Sequence, residues 1–104
     1  MMEELAARFL PQFIALARTR LQAATTAVTG GDHAADPVME RELHALAGEA
    51  GLLGLRDLIP VARDCEQKAR VLRASHKAAD ADALLVALRE LGRMIDGIAA
   101  AKLP

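Results

Sequence analysis

Apolar residues recur at spacings of three and four in four stretches of this chain. The first carries Leu10, Ile14, Ala17, Leu21, Ala24 and Val28, and the second Met39, Leu43, Leu46, Ala50 and Leu53. Leu55, Leu58, Ala62, Cys65, Ala69 and Leu72 make the third; Ala81, Leu84, Leu88, Leu91, Ile95 and Ile98 make the fourth. At roughly 100° per residue such a stripe stays on one face of a helix, whereas a half-buried strand would alternate. Narrow seams of this kind pack helices at crossing angles of about 20°. Four of them predict an all-α, antiparallel four-helix bundle.

Local breakers divide the chain in the same way. Thr29-Gly30-Gly31-Asp32 ends the first helix, and Asp36-Pro37 offers an N-cap followed by proline in the first helical position. Gly51 to Gly54 makes a short turn and Ser75 to Asp80 another, with Asp80 or Asp82 able to cap the last helix. Proline favours a first turn and turns its predecessor away from the helical region, so Pro11 predicts a short N-terminal lead-in helix over residues 2–9. Pro60 would fall just past the first turn of a third helix starting near Leu55 or Arg56, which predicts a bent start. With no repeat or linker in view, residues 1–104 read as a single domain.

Composition narrows the function. Thirteen Lys and Arg balance 14 Asp and Glu, a net charge of −1, which argues against a nucleic-acid or anionic membrane partner. A single Cys excludes an internal disulfide and the sequence has no C-x-x-C pair for zinc. Cys65 lies in the third seam and reads as a small buried residue. Glu3 and Glu4 stand where a secretory signal needs positive charge, and no apolar run approaches the roughly 20 residues of a membrane span. A cytoplasmic protein, monomeric because four seams close one core, is the expectation. Carboxylate-bridged metal sites in bundles use Glu-x-x-His pairs; Arg41 precedes His44 by three, so no metal site is expected.

His33 and His76 fall in predicted turns, but His44 sits inside the second helix, roughly 140° from the centre of its seam, and so points outward. Gly48 follows it by four residues and Gly51 by seven, with Ala47 at three. Glycine in a helix costs up to about 1 kcal/mol relative to Ala, and Ala is plentiful here. The glycines therefore suggest a docking face of Ala47, Gly48 and Gly51, cleared so that another macromolecule can reach the imidazole.

The run His44-Ala45-Leu46-Ala47-Gly48-Glu49-Ala50-Gly51-Leu52-Leu53-Gly54 resembles the signature of the histidine-containing phosphotransfer (HPt) domain: His, any residue, an apolar one, commonly Lys, then Gly and a small-residue pattern. The resemblance continues through Leu55, Leu58, Ala62 and Glu66, where the family has a glutamate near the middle of a helix, and includes the opening Phe9-Leu10. It covers about residues 37–70. What it implies is a phosphorelay intermediate. His44 would accept a phosphoryl group and exchange it with the Asp of response-regulator receiver domains, fed by a hybrid or other sensor histidine kinase. The chain would hold no cofactor of its own, the Mg²⁺ belonging to the receiver. Ala47 stands where many members carry the lysine that neutralises the phosphoryl group; Arg41, one turn before His44, is the nearest substitute and Arg56 a second.

Rival readings are a non-catalytic helical adaptor and a helix-turn-helix DNA binder, the latter resting only on the spacing of Ala47, Gly51 and Leu58. A histidine-kinase dimerisation domain usually has an acidic residue after its histidine, where this chain has Ala45.

Overall fold

The computed structural model describes residues 2–31 and 37–103, with the backbone alone at residues 2 and 3. Its four helices are α1 (Met2–Thr29), α2 (Pro37–Leu52), α3 (Leu58–Ser75) and α4 (Ala78–Lys102). Each packs against its neighbours in sequence, and α1 closes the ring against α4. The result is an antiparallel four-helix bundle about 45 Å long and 20 Å across. His33 and the expected cap Asp36 lie outside the described residues.

The seams supply the core. Ile14, Leu43, Leu46, Leu58, Leu72, Leu84, Leu91 and Ile95 are fully enclosed; each such side chain contributes about 1.5–3 kcal/mol by leaving water. No polar side chain among the described residues is buried with them. Cys65 is enclosed in this core, and its burial, with a smaller push from Asp64, raises the thiol pKa from 9.0 to about 12. The thiol therefore stays protonated and unreactive across the physiological range.

Three boundaries differ from the expectation. No separate lead-in helix exists, because α1 runs unbroken through Pro11. Pro11 faces solvent while Leu10, Phe13 and Ile14 on the same turns are buried, so core packing outweighs the one backbone bond that proline forgoes. Helix α3 begins at Leu58, which puts Pro60 inside the first turn, where its missing N–H is not needed. The residues before it form a Schellman closure of α2: the Gly54 N–H bonds to the Gly51 carbonyl and the Leu55 N–H to that of Ala50, with Gly54 at φ 74°. Finally, α4 is entered at Lys77 rather than at Asp80 or Asp82, and Asp80 in its first turn accepts a hydrogen bond from Ser75.

Candidate functional site

Helix α2 sets the site. Leu43, Leu46 and Ala50 fix its inner face, so the opposite face must be open to solvent, and the His44 side chain there is 78% exposed. Ala47 is not on that face. It is 5% exposed and belongs to the core, being four residues from Leu43 and three from Ala50; a helix in a globular core buries a wider stripe than the two-position seam. The open face holds Gly48 and Gly51. A Cβ on Gly48 would have nothing within 4 Å, while one on Gly51 would stand 3.6 Å from the Cδ1 of Ile59 on α3. Gly51 is thus where α3 comes up against α2, and Gly48 is clear space.

The imidazole is held from α3. Its Nδ1 lies 3.2 Å and 3.3 Å from the two carboxylate oxygens of Glu66, a side chain only 14% exposed. A carboxylate only accepts hydrogen bonds, so Nδ1 carries the proton and donates it. In the neutral ring that leaves the lone pair on Nε2.

Glu66 is itself tied into a charged network that reading each helix by itself did not foresee. Arg70 donates to Glu66 at 3.4 Å, to Gln67 at 2.8 Å and to Glu40 of α2 at 3.3 Å, and Arg73 pairs with the other oxygen of Glu40. A guanidinium therefore sits one partner away from the His44 ring. Of the two arginines expected beside His44, Arg41 is exposed and makes no ion pair with any described residue. Arg56 lies in the α2–α3 turn, beyond the end of α2. Eight residues of helix, about 12 Å of rise, separate His44 from that end, so Arg56 is not a neighbour of the ring; it borders a groove with Met94, Gly97 and Lys102 instead. His76 is exposed at the left-handed end of α3, φ 55°, with its backbone N–H on Leu72.

Toward the C-terminal end of α2, about 12 Å of helix rise from His44, the surface is apolar. Leu52, Leu5, Phe9 and Leu16 are exposed large hydrophobic residues, Leu52 by 82%. They line a groove of about 440 Å³ between α1 and α2 with Phe13 and Leu53. Arg20 of α1, mostly covered, bridges Glu42 at 3.2 Å and Glu49 of α2, pinning the two helices together beside that groove.

Among the described residues no cluster of His, Cys, Asp and Glu could hold a metal ion, and no helix is long and apolar enough to cross a membrane. The family model for the Hpt domain matches residues 8–101, nearly the whole chain, and the chain belongs to that family. Hpt domains carry out histidine phosphotransfer in phosphorelays and work with histidine kinases and response regulators. No curated protein and no solved structure matches this chain.

Proposed function

From membership of the Hpt family, we propose that this chain is a single-domain, monomeric, cytoplasmic phosphorelay intermediate whose phosphoacceptor is His44. The Nε2 lone pair attacks the phosphorus of an aspartyl phosphate on a receiver domain. An N–P bond forms as the aspartyl O–P bond breaks, and the electron pair returns to the aspartate carboxylate. The Nδ1 proton stays on the ring, which becomes cationic beside the Glu66 carboxylate. Transfer to the Asp of a second receiver is the reverse step. Such in-line transfer mainly requires positioning and charge compensation; Mg²⁺ comes with the receiver, and Arg70 is the cation nearest the ring network, with Arg41 the uncommitted one on α2.

The observation that carries this reading is the hydrogen bond from His44 Nδ1 to Glu66, which presents Nε2 on a face floored by Gly48. The test uses receivers phosphorylated with acetyl phosphate and mass spectrometry under alkaline conditions. The label is expected on His44 and is abolished in His44→Gln with helical circular dichroism unchanged. Label retained in that variant, or found on His33 or His76, overturns the assignment. An adaptor would take no label from any receiver.

A further inference from the structure

The register between α2 and α3 can be read from three contacts. Gly51 faces Ile59, His44 faces Glu66 and Glu40 faces Arg70. Seven residues back along α2 match seven forward along α3, and the next four match four. Three residues from His44 toward the turn is Ala47, and three from Glu66 in the same direction is Arg63. Arg63 therefore stands abreast of Ala47, on the same face of α3 as Glu66 and Arg70. Ala47 has no side chain beyond its Cβ and is buried, and Gly48 beside it is open.

Arg63 also differs from its neighbours in charge partners. Arg70 has Glu40, Glu66 and Gln67; Arg73 has Glu40; Lys68 has Asp64 at 2.6 Å. Arg63 is exposed and makes no ion pair or hydrogen bond with any described residue. Helical side chains lean toward their own N-terminus. For Arg70 that lean leads to Glu66 and the ring, as its hydrogen bonds demonstrate. For Arg63 it leads away from the ring, alongside the open surface at Gly48.

We propose that Arg63 is a docking cation that pairs with a carboxylate on the rim of the receiver seated over His44 and Gly48, and so sets which receivers bind. This rests on the phosphotransfer reading above. The division of labour follows from geometry: Arg70 acts at the ring, and Arg63 acts on the partner's approach. An exposed charge pairing across an interface governs association and its salt dependence more than the step within the complex.

The test takes receivers that transfer to the wild-type full chain and follows transfer rate against receiver concentration at low and high salt. Arg63→Ala is expected to raise the half-saturating receiver concentration about fivefold at low salt, and Arg63→Glu further, with the maximal rate unchanged within about twofold. Arg63→Lys restores most of the affinity, and the differences shrink at high salt. Unchanged half-saturation in Arg63→Ala overturns the proposal while leaving His44 as phosphoacceptor. A fall in maximal rate at constant half-saturation also overturns it, since Arg63 would then act in the transfer step. A wild-type chain that no receiver labels overturns the phosphotransfer reading and this inference with it.

Discussion

Two unlike regions share the exposed surface of α2, one at His44 and one toward the turn end of the helix. On the α3 side are Glu66, Arg70, Gln67, Glu40 and Arg73, joined by hydrogen bonds and ion pairs. About two turns further along α2, against α1, are Leu52, Phe9, Leu5 and Leu16, exposed around a groove. Charged groups at fixed distances orient a ring and compensate developing charge, effects felt within a complex. Exposed apolar area does neither, but its removal from water drives association. One histidine is thus served by a region suited to the reaction and another suited to the encounter, and variants on the two sides should fail in different ways.

The largest separation is expected from Glu66. Glu66→Ala removes the acceptor that fixes the ring and faces its positive charge. A hydrogen bond to a charged group is worth about 1.5–3 kcal/mol, so the transfer step should slow about tenfold or more with receiver affinity little changed. Glu66→Gln keeps an acceptor for Nδ1–H and should fall between Ala and wild type. Single-turnover transfer at saturating receiver measures this. A loss of affinity instead would place Glu66 with the docking surface and erase the distinction between the two sides.

Leu52→Asp makes the opposite prediction at smaller scale. Leu52 is 82% exposed, so its replacement should leave the denaturation midpoint nearly unmoved. The half-saturating receiver concentration should rise several-fold at an unchanged maximal rate. If neither quantity moves, the apolar side is not part of the encounter.

How much of this was legible in the sequence depends on the range of the physics involved. The seam around Leu43, Leu46 and Ala50 recurs within one helix, so the outward position of His44 could be read directly. Ala47 was misread because the seam was drawn too narrow, at two positions per heptad where the core takes more. Pro11 and Pro60 were read by local rules that are sound, but Leu10 and Ile14 on one side and the Gly54 closure on the other moved the boundaries. Glu66 was met only through the family resemblance. The pairs of Arg70 with Glu40 and Glu66 depend on the register between two helices, which no single helix pattern encodes. Arg56 was assigned by closeness in sequence, and the turn carries it away from the ring.

The smallest effect concerns the floor between the two sides. Gly48 is helical and exposed, and a Cβ there would meet nothing within 4 Å, so an alanine fits without displacing a neighbour. Gly48→Ala should then stabilise the bundle by up to about 1 kcal/mol, through better helix propensity and a less flexible unfolded chain. Gly48→Gln should keep part of that gain, since its side chain also enters solvent. Activity should move against stability, because a glutamine one turn from His44 stands where a receiver must bring its aspartate. Denaturant melts paired with receiver-to-His44 transfer rates decide the matter. A Gly48→Gln chain that is less stable than wild type would mean that the clearing is already occupied by packing. One that is more stable and fully active would mean that partners reach His44 without crossing Gly48, and that the glycine is slack in the helix and not a floor.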